Sequence, residues 1–82
     1  MLNYYSYFAD WIKQFKKMNR IKEVLEQKGI KQIWLAEQLD KSYNMVNSYV
    51  QNRRQPSIEC LYEIAEILNI EAKELLINRE IK

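Results

Sequence analysis

Between Leu39, the last apolar position of one helical stripe, and Ser42, a good cap for the next helix, the sequence leaves only Asp40 and Lys41. A joint this short fixes the angle between two helices and asks for a backbone that tolerates a positive φ. Asp accepts that conformation better than most non-glycine residues. Small residues are needed where two such helices approach closely. Ala36 stands at that place, with Leu35, Leu39, Val46 and Tyr49 to fill the space between the segments.

The rest of the chain has the same grain. Asn19–Lys28 carries Ile21, Val24 and Leu25 at helical spacing, and Gly29 follows as a stop. A second helix is expected over about Lys31–Leu39 and a third from the Ser42 cap to about Gln51, with Met45, Val46 and Tyr49 apolar. The polar stretch Asn52–Ser57 holds the chain's one proline. Ser57 reads as the cap of a fourth helix in which Ile58, Leu61, Ala65 and Leu68 recur, and Asn69 can close it in a left-handed conformation. A fifth short helix is expected over Glu71–Ile77, adding Leu75 and Leu76. One glycine and one proline in 82 residues argue against a turn-rich β design. The fold class expected is therefore all-α, a compact five-helix bundle.

Residues 1–17 stand apart. Tyr4, Tyr5, Tyr7, Phe8, Trp11 and Phe15 lie there, followed by Lys13, Lys16 and Lys17 among and after them, and positions 8, 11, 12 and 15 share one helical stripe. This is expected to be an additional amphipathic helical extension. Three roles stay open to it: packing on the domain or a second subunit, weak order, or contact with a membrane. Met18 also reads as a natural start, so residues 18–77 are expected to be the working domain and 78–82 a tail.

Composition excludes several classes of function. The chain has no histidine and a single cysteine, Cys60, so neither an intramolecular disulfide nor a zinc site nor a nucleophile–base pair can be assembled. No catalytic residue, metal or cofactor is expected, and Cys60 is taken as a small semi-buried residue. No apolar run approaches the ~20 residues that cross a bilayer, and the start does not resemble a signal peptide, so the expected location is cytoplasmic. The net charge of +2 is unevenly placed. Lys41–Ile58 holds Lys41, Arg53 and Arg54 and no acid, while the stretch from Ser57 to the end holds six glutamates against three basic residues. A basic middle beside an acidic end suggests one face for a polyanion.

A helix that reads duplex DNA must lie in the major groove while a second helix, braced across it, touches the backbone. The run from Gln32 through Asp40 to Ser57, QIWLAEQLDKSYNMVNSYVQNRRQPS, resembles the Cro/cI-type helix-turn-helix of the xenobiotic-response-element (Xre) regulators. Its continuation, Leu61–Leu76, is similar to that family's fourth and fifth helices, so the resemblance covers residue 19 to about residue 77. It implies a lambda-repressor-like fold. Two departures are visible. Asp40 and Asn52 stand where the family commonly has glycine, and Ile33 and Trp34 stand where it is usually polar. Such exposed apolar groups invite a partner, for which the aromatic N-terminal segment is the nearest candidate, or else are partly buried against adjoining helices.

On the third helix Val46 and Tyr49 face inward, so Tyr43, Asn44, Asn47 and Ser48 face out. All four can hydrogen-bond and none is acidic. Asparagine pairs bidentately with adenine, which makes Asn44 and Asn47 the expected base readers, while Tyr43 suits a thymine methyl or a phosphate. The resemblance implies that Gln32 anchors the DNA backbone, where helix N-terminal amides favour an anion. Lys31, Ser42, Asn52, Arg53 and Arg54 are the other backbone candidates, although the arginines read equally as solvent-facing loop charges. So few basic groups give weak binding per domain, hence the expectation of a homodimer on palindromic double-stranded DNA, acting in transcription regulation as a repressor. An antitoxin that represses its own operon, or a controller of a restriction-modification system, belongs to the same class. The competing class is a protein-interaction module on this fold.

Overall fold

The computed structural model describes residues 17–77. They form helices α1 Ile21–Lys28, α2 Gln32–Leu39, α3 Tyr43–Val50 and α4 Ile58–Leu68, followed by a 3-10 turn at Ala72–Leu75. The resemblance to the Cro/cI type therefore corresponds to a small helical domain, with four α-helices rather than five.

A chain with one glycine must still end four helices. Each end here turns through a single left-handed residue: Gly29 at φ 66°, Asp40 at 54°, Asn52 at 59° and Asn69 at 56°. At each, two backbone bonds close the last turn. Behind α2 the N–H of Asp40 donates to Glu37 at 3.2 Å and that of Lys41 to Ala36 at 3.0 Å. The equivalent bonds run from Gly29 and Ile30 to Glu26 and Leu25, from Asn52 and Arg53 to Tyr49 and Ser48, and from Asn69 and Ile70 to Glu66 and Ala65. Carbonyls that would otherwise lack donors are satisfied in this way. The short polar side chains of Asp and Asn make the conformation accessible at three sites without glycine. At the other ends, Ser42 Oγ accepts from Met45 N and Ser57 Oγ from Cys60 N, each at 3.1 Å. Caps of this kind are worth ~1 kcal/mol each.

The core lies where α2 crosses α3 and α4, with α1 packed on α3 and the 3-10 turn on α4. Ile21, Leu35, Ile64 and Leu75 are fully buried, joined by Ala36, Leu39, Val46, Tyr49 and Val50. Burying each of the large aliphatic side chains stabilises by roughly 1.5–3 kcal/mol. On α4 the buried face is Cys60, Ile64 and Leu68, with Ala65 beside it and Leu61 partly covered. Of the expected stripe, Ala65 and Leu68 are buried and Leu61 packs against the core, while Cys60 and Ile64 complete the buried face in place of Ile58. Ile58, at the first helical position, projects beyond the core and is 73% exposed.

The expected fifth helix is corrected to one 3-10 turn. Glu71 and Glu74 open it with reciprocal side-chain and backbone bonds, a good helix start. Propagation then fails because Leu76 is drawn out extended, at φ −103° and ψ 149°, into an isolated antiparallel bridge with Asn19. Arg20 N donates to Leu75 O at 2.8 Å and Ile77 N to Met18 O at 3.4 Å. A tertiary pairing has replaced the next helical turn. It also leaves Leu76 exposed. The expected amphipathic extension, apart from Lys17, and the tail at 78–82 lie outside the described residues.

Candidate nucleic-acid interface

Helix α3 carries two faces. Val46, Tyr49 and Val50 are buried, while Tyr43 and Asn44 are exposed and Asn47 and Ser48 half-buried on the other side. At 100° per residue the last four span about 140° of arc, a width suited to a groove wall. No acid occurs in the helix. The amides of Asn44 and Asn47 are not engaged by other described residues. Ser48 differs, because its hydroxyl donates to the carbonyl of Met45 at 2.5 Å. It is left as an acceptor towards anything outside.

The flanking candidates gather at the two ends of α3. At one end Lys31, Gln32 and Tyr43 line a groove with Glu26, Ile30 and Ile33. Helix α2 starts there behind an extended Lys31 that provides no side-chain cap, so its first-turn N–H groups remain open. The side-chain Oε1 of Gln32 is buried without a hydrogen-bond partner among the described residues. Ser42 accepts from Met45 and keeps its own hydroxyl proton to donate. At the other end Gln51, Asn52 and Arg53 line a second groove with Lys17, Lys22 and Glu23. Val50 and Lys22 border both grooves. Arg54 lies back along α3, with its Nη1 3.4 Å from Met45 Sδ.

Sequence reasoning missed three residues around this surface. Lys22, exposed on α1, adds a cation between the two grooves, but in the sequence it cannot be told from any solvated lysine. Asn19 and Gln55 were also passed over. Asn19 is the one buried polar residue of the described chain, at 1% exposure. Its Nδ2 donates to Tyr49 O at 3.0 Å and Gln55 Oε1 at 2.8 Å, and its Oδ1 accepts from Ile21 N at 3.1 Å. One side chain thus serves the open C-terminus of α3 and the open N-terminus of α1. Asn52 joins it, with Oδ1 accepting from Met18 N at 2.8 Å and Asn19 N at 2.9 Å, and Nδ2 donating to Asn19 O at 3.1 Å. The Asn52 amide is therefore directed to the protein rather than outward.

Two titrations are displaced nearby. Burial pushes the Glu23 carboxyl up. The hydrogen bond from Lys17, a backbone bond and the charges of Lys17 and Arg20 outweigh it, and its pKa lies below the usual value. Lys17 Nζ stands 3.1 Å from Glu23 Oε1. Burial raises the Cys60 thiol, which keeps it protonated at neutral pH. Ile33 and Trp34 are 49% and 42% exposed, so the adjoining helices cover only about half of each. Among the described residues no acid, histidine or cysteine cluster is placed to hold a metal ion, and no helix is long and apolar enough to cross a membrane.

Residues 21–75 match the family described as helix-turn-helix. A crystal structure described as a "putative DNA-binding protein from Bacteroides fragilis" is 42% identical, with a TM-score of 0.72, over 73% of this chain and 97% of that one. Among curated proteins the chain has no match.

Proposed function

The chain belongs to the helix-turn-helix family, and from that premise we propose that it is a transcriptional regulator that reads double-stranded DNA with α3. The acid-free polar face of that helix carries the proposal. Asn44 and Asn47 read bases, each able to pair with an adenine edge, while Tyr43 and Ser48 contact the groove beside them. Ser48, as an acceptor, suits an exocyclic amino group. Phosphates are held by Lys31, Gln32 and Ser42 at one end of α3 and by Arg53 and Arg54 at the other, with Lys22 between. Asn52 is left out of this set because its amide is spent on Asn19. The similarity to the Bacteroides fragilis protein, described as DNA-binding, supports the same reading.

With this few cations, one domain binds weakly and with a modest salt slope. A homodimer on a palindromic operator doubles the contacts and sets half-sites about one helical turn apart. Repression by occupancy of the operator is the simplest action, in the cytoplasm where the DNA lies. The test is selection of bound sequences from a random duplex pool. Enrichment of a palindrome supports the dimer, a single half-site supports a monomer, and no enrichment removes the reading. One observation favours a second role, the exposure of Ile33 and Trp34 beside Ile30, which suits a protein partner on α2. A pull-down that survives loss of DNA binding but not Trp34→Lys distinguishes it.

A further inference from the structure

We propose that Asn52 and Gln55 are positioning residues that clip the Arg53–Arg54 loop to buried Asn19, making the Met18–Asn19 backbone a working part of the phosphate-binding surface. The proposal rests on the DNA-binding function above.

Asn52 sits at φ 59°, which glycine would adopt with less strain. What asparagine adds is its amide. That amide meets both the N–H and the carbonyl of Asn19, as a neighbouring strand would, at 2.9 and 3.1 Å. Gln55, three residues on, returns to the same place. Its Oε1 accepts from Asn19 Nδ2 at 2.8 Å and its Nε2 donates to Asn52 Oδ1 at 3.1 Å. Both ends of the loop are thus tied to one buried residue, Asn52 to its backbone and Gln55 to its side chain, and the two residues between the ties are the exposed arginines. Their backbone N–H groups are fixed as well, both on the Ser48 carbonyl, at 2.9 and 3.2 Å.

Holding a loop in one conformation before binding removes an entropy cost that would otherwise be met on contact. Arginine benefits particularly, because its planar fork demands a defined approach to a phosphate. The groove lined by Arg53 also holds Lys22 and the paired Lys17 and Glu23. The clip therefore adds a side-chain tie at each end of the loop to the backbone bonds on Ser48, and helps to decide where Arg53 and Arg54 stand relative to α3.

The test compares the unaltered full chain with Asn52→Gly, which keeps the left-handed backbone and removes only the amide. Duplex affinity is measured across a salt series, and Arg53→Ala with Arg54→Ala is introduced into both backgrounds. Asn52→Gly is expected to weaken binding about three- to tenfold and lower the salt slope by about one phosphate contact. The base preference stays unchanged, and the arginine substitutions then cost less than they do in the unaltered chain. Full and equal arginine losses in both backgrounds overturn the proposal, as does a glycine variant with unchanged affinity and slope. If Asn52→Gly does not fold, Gln55→Ala, which spares the Asn52–Asn19 pairing, is compared in the same way with the same deciding outcomes. Failure of the unaltered chain to bind any duplex removes the DNA function itself, a result seen before any variant is made.

Discussion

The N–H of Lys41 reaches back to the carbonyl of Ala36 at 3.0 Å, and this bond closes the turn that sets α3 against α2. It requires Asp40, between them, to hold φ 54°. A β-branched residue there meets the left-handed penalty in full. Asp40→Ile is expected to destabilise by ~1–2 kcal/mol, a fall in melting temperature of roughly 4–8 °C per kcal/mol. Asp40→Gly should stay within about 1 kcal/mol of the parent, since glycine relieves strain but loosens the unfolded chain. Thermal unfolding of the two variants checks the ordering, and equal midpoints would contradict it.

Asn44 and Asn47 stand on the outer face of α3 with no part in the core. The double change to alanine should leave the unfolding midpoint nearly unchanged. It should abolish discrimination among duplexes, a loss of ~1–3 kcal/mol per reader, while residual binding keeps its salt dependence. Competition between the selected sequence and a scrambled one measures this. Retained preference would transfer base reading to other residues.

Ile64 and Ile58 share a helix but not an environment, one at 0% and the other at 73% exposure. Ile64→Ala should cost 2–5 kcal/mol, on the order of the cavity penalty for a buried aliphatic chain. Ile58→Ala should change stability by no more than about 0.5 kcal/mol. Urea titration separates the two, and comparable losses would place the core on the wrong face of α4.

Acid should loosen the N-terminal edge of the domain. The Glu23 pKa is lowered on folding, so its contribution is present above the ordinary carboxylate value of 4.5 and is lost as pH falls through the lower folded value. The Lys17–Glu23 pair is half exposed, which keeps the effect small. Glu23→Gln should lower stability slightly near neutrality, where the contribution is present, flatten the profile through that acid range, and leave stability unaltered below both pKa values. An identical acid limb in the variant would show that other carboxylates control it.

Much of this molecule is readable within a few residues of sequence. The left-handed stops at Gly29, Asp40 and Asn69 follow from local backbone preference, and the caps at Ser42 and Ser57 from a side chain and an amide three positions apart. The polar outer face of α3 follows from helical periodicity around Val46 and Tyr49. Such signals act over one turn and need no knowledge of what the helix meets. The tertiary structure alone decided the rest, because the deciding partners are distant in the chain. Residues 71–77 begin as a helix and end as an extended edge only because Leu76 finds Asn19. On α4, where apolar residues are plentiful, the crossing of α2 chose Ile64 over Ile58. Asn52 looked like a loop residue free for a phosphate until the fold brought Asn19, 33 positions away, to its amide. The two-residue joint at Asp40–Lys41 could be read in the sequence as a constraint on two helices, whereas the clip that holds the loop beyond α3 exists only where α1 and α3 meet.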